Sequence, residues 1–190
     1  MMTLVFFLEE LSAKRLLENL LPRMFPEKLV TMKFVVFEGK QDLEKRIVLK
    51  MRHWLTPNTR FIVLRDQDSA DCQDIKDKLV DRCRQAQHPE ALVRVACREI
   101  ESWYLGDLRA VEQGLGIKNI AKEQQSRKFR DPDRLENPST ELQRLTGQRY
   151  QKVSGSRAIA PYLKLDGSNR SHSFRVFITG VQRMVEQGMA

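Results

Sequence analysis

The amino-acid sequence predicts an α/β protein built on a mainly parallel sheet of about four strands, with helices on both faces. Short apolar segments alternate four times with segments whose apolar residues recur at helical spacing. The short segments are almost continuously apolar, which is typical of parallel strands that are covered on both sides. The strands are predicted at residues 3–8, 31–37, 60–65 and 91–96.

The helices of this first part of the chain are marked by their ends. Ser12 is expected to cap the first helix and Pro22 to end it, and Gly39 separates the second strand from the second helix. Helices are accordingly predicted at residues 12–21, 41–54, 71–87 and 98–104.

The pattern changes after Gly106. Short helices are predicted at residues 107–114, 139–147 and 156–163, a long polar loop at 116–138, and a closing helix at 172–187. We therefore expect an α/β core at residues 1–108 and a basic, mostly helical extension at 109–190 that packs on it as one compact unit.

Charge is divided unevenly between these two parts. Residues 1–108 contain 18 Lys and Arg against 17 Asp and Glu, and residues 109–190 contain 15 against 8, so their net charges are +1 and +7. A basic segment beside an acidic site suits a polyanion such as nucleic acid held near a metal ion. A solvated basic surface, or one that contacts an acidic partner protein, accounts for the same charge equally well.

Hydropathy and cysteine usage predict a cytoplasmic protein. No apolar run approaches the roughly 20 residues of a membrane-spanning helix, so no membrane association is expected. Residues 4–8 are too few for a signal-peptide core. Cys72 and Cys83 share one predicted helix, where a rise of about 1.5 Å per residue separates them by roughly 16 Å, beyond disulfide reach.

Acidic residues follow three of the four predicted strands. Glu9 follows the first strand, Asp66 and Asp68 the third, and Glu99 and Glu101 the fourth. Because the carboxyl ends of parallel strands share one edge of the sheet, these carboxylates are expected to gather there, where a hard divalent cation relieves their repulsion. Alternate residues of an extended segment point the same way, so both aspartates are expected to face one ion. A solvated acidic loop is the alternative interpretation.

Several of these residues belong to an ordered set of motifs. The motifs are F-F-L-E with a later serine (residues 6–9 and 12), G-K (39–40), F-I-V-L-R-D-Q-D (61–68), A-C-R-E-I-E-S-W-Y-L-G-D (96–107) and S-x-S-F (171–174). In this order they resemble the bacterial family known as domain of unknown function 4276, over nearly the whole chain. That family is classed as Toprim-like, similar to the metal-binding domains of topoisomerases, primases and nucleases of the overcoming-lysogenization-defect (OLD) type. Its relatives often accompany an ATPase in phage-defence or mobile-element operons.

The resemblance implies roles for acidic residues of this chain. Glu9 matches the glutamate that acts as general acid/base or as a metal ligand. Asp66 and Asp68 match the pair that binds Mg²⁺, for which Mn²⁺ is a substitute. Glu101 is implied as a further acidic contributor, and Glu99 as its substitute. Since these two lie about 200° apart on a helix, at most one contacts the ion.

The resemblance also extends to basic residues. Lys152 and Arg157 match basic positions near the C-terminal end of the family and are implied to contact substrate phosphate. Lys40 is a further candidate for a phosphate contact, although a Gly-Lys pair more often forms only a turn.

Two positions depart from the family pattern. Glu10 stands where glycine is expected, and Ala13 stands where a second acid is expected. The missing acid removes a ligand for a second ion, so one metal ion is expected. The resulting hypothesis is a Mg²⁺-dependent nuclease. The resemblance implies that such a nuclease could be the effector of a phage-defence system and work beside a partner ATPase.

Two alternatives stay open. One is a catalytically weakened Toprim-like adaptor for a partner ATPase, and the other is a Mg²⁺-dependent nucleotide- or phosphate-binding protein. No G-x-x-x-x-G-K-[ST] loop is present, so the chain itself is not expected to hydrolyse ATP. The sequence leaves DNA or RNA as substrate, and the oligomeric state, undecided.

Overall fold

The architecture was analysed in a computed structural model that describes residues 1–25 and 29–189. In that part of the chain the strands are Met2–Leu8 (β1), Val30–Val36 (β2), Thr59–Asp66 (β3) and Leu92–Ala96 (β4). They form an all-parallel sheet in the order β2-β1-β3-β4. The predicted strands are confirmed, and each end lies within one residue of its expected position.

Helices alternate with these strands and then continue alone to the end of the described chain. In order, they are Leu11–Leu20 (α1), Lys40–Arg52 (α2), Cys72–Gln85 (α3), Glu101–Leu105 (α4), Leu108–Leu115 (α5), Pro138–Leu145 (α6), Lys152–Ile159 (α7) and His172–Met189 (α8).

The sheet separates two hydrophobic cores, because side chains alternate between its faces. Leu4, Phe6 and Leu8 of β1 pack into one core with α1 and the helices of the extension. Val5 and Phe7 pack into the other core with α2 and α3. Each of these side chains is fully buried, which contributes about 1.5–3 kcal/mol per side chain. The predicted α/β fold with helices on both faces is therefore confirmed.

The starts of α1 and α4 differ from the sequence-based expectation. Ser12 lies within α1 and does not cap it, because its hydroxyl donates to the carboxylate of Glu10, the residue that precedes the helix. The helix expected from residue 98 begins at Glu101, since Arg98 has a left-handed φ of 59°.

The extension also differs from the expectation in two segments. The helix expected at 156–163 begins four residues earlier, as α7, and continues as the 3₁₀ turn Ala160–Tyr162. The expected loop at 116–138 contains the 3₁₀ turns Ala121–Gln125 and Pro132–Arg134. Both prolines that enter these turns, Pro132 and Pro161, are compatible with a helical first turn.

Within residues 1–25 and 29–189, no helix is both long and apolar enough to cross a lipid bilayer. The three cysteines are free thiols; Cys72 begins α3 and Cys83 is buried in the same helix.

Candidate functional site

The carboxyl edge of the sheet brings the ends of β1 and β3 into direct contact. Glu9 follows β1, and its Oε2 accepts a hydrogen bond from the backbone N–H of Asp66, the last residue of β3, at 3.2 Å. Glu101 begins α4, after the four residues that follow the end of β4. Three of the predicted acidic residues thus lie at one edge because parallel strands end together.

Asp66 is a buried carboxyl group at this edge. It is 8% exposed, and its Oδ1 accepts a hydrogen bond from the N–H of Ile100 at 3.0 Å. Burial, reinforced by the charges of Glu101, Glu10 and Glu9, holds its pKa well above the ordinary value. The charge of Lys152 acts to lower this pKa but is outweighed, so an additional cation would stabilise ionised Asp66.

Glu101 is fully buried, and only one of its two carboxylate oxygens has a hydrogen-bond partner. Its Oε1 accepts a hydrogen bond from the hydroxyl of Tyr150 at 2.8 Å. Its Oε2 is buried and has no hydrogen-bond partner among the described residues. Burial raises the pKa of Glu101 to about 7, although Lys152 and Tyr150 act to lower it. A buried carboxylate oxygen without a partner is costly, so this atom is available to a ligand.

Asp68 lies just past the end of β3, where the chain leaves the extended conformation, and its carboxylate pairs with a lysine. Asp68 has a left-handed φ of 55°, and its N–H donates to the carbonyl of Arg98 at 2.7 Å. Its carboxylate pairs with Lys40 Nζ at 2.7 Å, which raises the pKa of Lys40. The D-x-D segment is therefore not extended throughout, as the expectation assumed, and binding of one ion by both Asp66 and Asp68 stays a prediction.

The surroundings of Glu9 have opposing effects on its pKa. Burial and then the charge of Asp68 raise its pKa, and they outweigh the lowering effect of the Asp66 N–H and the Arg65 guanidinium. Arg65 is almost fully buried, with Nε 3.8 Å from Glu9 Oε2, and it also pairs with Glu44. A carboxyl group with a raised pKa suits proton transfer closer to neutral pH.

Basic side chains flank this edge. Lys152, the first residue of α7, has its Nζ 3.8 Å from Glu10 Oε2. Burial acts to lower the pKa of Lys152, but the charges of Glu101 and Glu10 outweigh it and the pKa is raised. Arg157, on the same helix, lines a cleft between α7 and α1. The site thus has Lys40 beside Asp68 and Lys152 beside Glu10.

Two residues of the site, Glu10 and Tyr150, were not among the residues that the sequence predicted to form it. Glu10 stands where the family has glycine, and its carboxylate contributes to the negative charge around Asp66 and pairs with Lys152. The sequence carries no signal for Tyr150, which is 49 residues from its partner Glu101. The alternative acid, Glu99, instead accepts a hydrogen bond from the N–H of Ser139 at the start of α6.

The side chains of the acidic edge are of the type that binds a hard divalent cation, but they do not form a closed coordination sphere. In residues 1–25 and 29–189, no group of three or more His, Cys, Asp or Glu side chains is arranged closely enough to hold a metal ion. The donors are nevertheless carboxylate oxygens, which Mg²⁺ and Mn²⁺ prefer, and Glu101 offers an unpartnered one. Binding would require the carboxylates to close on the ion.

The all-parallel sheet and its covering helices define an α/β protein with a Toprim-like fold. The chain belongs to the family described as domain of unknown function (DUF4276), whose sequence profile matches residues 8–182. This confirms the resemblance seen in the motifs.

One solved structure supports the fold assignment. The chain is similar to the C-terminal region of the Burkholderia pseudomallei OLD protein, with a TM-score of 0.58 and 16% identity over 98% of each chain. At this identity the likeness shows the fold alone. No curated protein matches the sequence.

Proposed function

We propose that this protein is a divalent-metal-dependent phosphodiesterase that acts on nucleic acid. The observation that carries the proposal is the pair of buried carboxyl groups Asp66 and Glu101. The charge of Glu101 disfavours ionisation of Asp66, whose N–H donates to Glu9 at the sheet edge. Burying ionised carboxylates close together costs free energy on folding, and a bound cation would offset that cost. Nucleases of the OLD type, to which the fold is related, make a phosphodiester substrate the natural expectation.

The residues divide into ion-holding and proton-moving roles. Asp66 and Glu101 would hold the ion, joined by Asp68 when its pair with Lys40 opens. A bound divalent cation supplies charge that polarises a phosphate and stabilises the transition state. Glu9 has its Oε1 available for proton transfer to or from the attacking or leaving oxygen, since its Oε2 accepts the Asp66 N–H.

Basic residues would hold the substrate without reading its sequence. Lys152 and Lys40 flank the carboxylates, and Arg157 lies farther along α7. Contacts of this kind bind the phosphate backbone and set its position. A cytoplasmic phage-defence effector with a partner ATPase is the setting that the family resemblance suggests.

A catalytically weakened adaptor is the second candidate, and one observation favours it. The ammonium of Lys40 is paired with Asp68, so a protein cation occupies one of the expected ligands. Ala13, where a second acid is expected, is buried in the core and offers no replacement. In this case the fold would serve a partner ATPase rather than cut a substrate.

The test is a cleavage assay on plasmid DNA and on tRNA, with Mg²⁺, with Mn²⁺ and with a chelator. We expect metal-dependent cutting that falls at least about 100-fold in Asp66→Asn and Glu9→Gln. The matched control is Asp81→Asn, which removes an exposed carboxylate paired with Arg84 on α3 and should cut like the wild type. Cutting that persists in chelator or in Asp66→Asn contradicts the proposal, and metal binding without cutting supports the adaptor.

A further inference from the structure

We infer that the cleft between α1 and α7 binds the phosphodiester backbone of a nucleic-acid strand that leads to the carboxylate edge, an inference that rests on the proposed function. The cleft encloses about 510 Å³, within the roughly 300–1,000 Å³ of ordinary ligand sites. Three of its lining residues are cationic, two are neutral hydrogen-bonding residues and none is acidic. The lining residues are Arg15, Gln151, Lys152, Val153, Ser154 and Arg157.

The cations on the two walls of this α1–α7 cleft are accessible. Arg15 on α1 is partly exposed, and its guanidinium pairs with Glu18 one turn along the same helix, at 2.9 Å. Exposed pairs of this type contribute little to stability, so exchanging the carboxylate for a phosphate is inexpensive. Arg157 on the opposite wall is exposed. Guanidinium groups can bind phosphate oxygens in the same bidentate geometry that they use with carboxylates, so a phosphate can replace Glu18 at Arg15.

Lys152 joins the cleft to the carboxylate edge. It lines the cleft, its Nζ lies 3.8 Å from Glu10 Oε2, and its charge acts on both Glu101 and Asp66. A strand that places one phosphate at Lys152 and others at Arg15 and Arg157 would therefore pass directly beside the proposed reaction site. An isolated mononucleotide would leave part of this row of cations unused.

Hydrogen bonds to neighbouring parts of the fold fix the positions of the two helices that form the cleft. Arg23, just beyond α1, donates to the carbonyls of Ala160 and Leu163 at 3.1 and 2.8 Å. The hydroxyls of Tyr104 and Ser156 lie 2.8 Å apart and hold α7 against α4. A cleft whose walls are already fixed loses less conformational entropy when it binds.

The test measures binding without cleavage, by fluorescence anisotropy of labelled single-stranded DNA and of RNA of the same sequence, in the presence of a chelator. Arg15→Gln and Arg157→Gln should each weaken binding by roughly 10-fold and lower the slope of log affinity against log salt by about 1. The matched control is Arg84→Gln, because Arg84 forms the same kind of surface pair, with Asp81 at 2.9 Å, on α3 at the other face of the sheet. It should bind like the wild type.

The outcomes separate this inference from the proposed function. Equal weakening by Arg15→Gln and Arg84→Gln, or no binding by the wild type at low salt, overturns the cleft even if metal-dependent cutting is found. Weakening confined to Arg15→Gln and Arg157→Gln supports the cleft even if no cutting is found. A mononucleotide that competes as strongly as the oligonucleotide, per molecule, also contradicts a strand-binding cleft.

Discussion

Replacing Tyr150 with Phe is expected to destabilise the protein more at about pH 8 than at about pH 5. The hydroxyl of Tyr150 donates to Glu101 Oε1 at 2.8 Å inside the fold, and the pKa of Glu101 is raised to about 7. A hydrogen bond contributes about 1.5–3 kcal/mol when its partner is charged and about 0.5–1.5 kcal/mol when both groups are neutral. The loss should therefore grow by about 1 kcal/mol between the two conditions.

The sign of this effect follows from the ionisation of Glu101. The Tyr150 hydroxyl favours the charged carboxylate, so its removal raises the pKa of folded Glu101 further above the unfolded value of 4.5. The additional destabilisation is absent at about pH 5, where folded Glu101 is largely protonated in both the wild type and the variant. It appears as the pH rises through about 7, because only then is the folded carboxyl group ionised.

Tyr104→Phe is the matched control. Its hydroxyl is also buried, and it contacts the hydroxyl of Ser156 at 2.8 Å rather than a carboxylate. This variant should lose about 0.5–1.5 kcal/mol at both pH values. Urea unfolding of the wild type and both variants, with a chelator present, measures the difference. If the two variants lose the same stability at both pH values, the assignment of Tyr150 as the partner of ionised Glu101 is refuted.

Three further changes have expected outcomes in urea or thermal unfolding. Glu101→Gln should remove a penalty of about 3 kcal/mol that arises as the pH rises from 4.5 to about 7, so the variant gains stability over the wild type at high pH. Gly155→Ala should cost about 1–3 kcal/mol, because a Cβ there would lie 2.5 Å from the ring of Tyr150. Asp133→Ala should cost about 2 kcal/mol, because its carboxylate accepts the N–H of Ser173 at 2.8 Å at the start of α8.

The two central strands, β1 and β3, were predictable because burial on both faces leaves a simple apolar pattern. Residues 4–8 are an uninterrupted apolar run, and the structure buries every residue of β1. The start of α7 was not predictable in this way, because its first turns contain Gly155 and Ser156, which are poor helix formers. Tertiary contacts stabilise them: Gly155 packs against the ring of Tyr150, and Ser156 bonds to Tyr104.

The candidate site was likewise predictable in part. The proximity of Glu9 and Asp66 follows from parallel strands that end together, which a sequence pattern reveals. The direction of Asp68 depends on a left-handed turn, on the carbonyl of Arg98 and on the ammonium of Lys40. Those contacts join residues about 30 positions apart, and no periodicity in the sequence reports them.

Titration of the purified protein with Mn²⁺ by calorimetry tests the central claim, that the carboxylate edge is a metal site. We predict one site in the wild type, at least about 10-fold weaker in Asp66→Asn and unchanged in Asp81→Asn. The affinity should rise as the pH increases through about 7, because the carboxyl groups must lose their protons to bind the ion. Equal binding by the wild type and Asp66→Asn, or no binding by the wild type, would contradict the account.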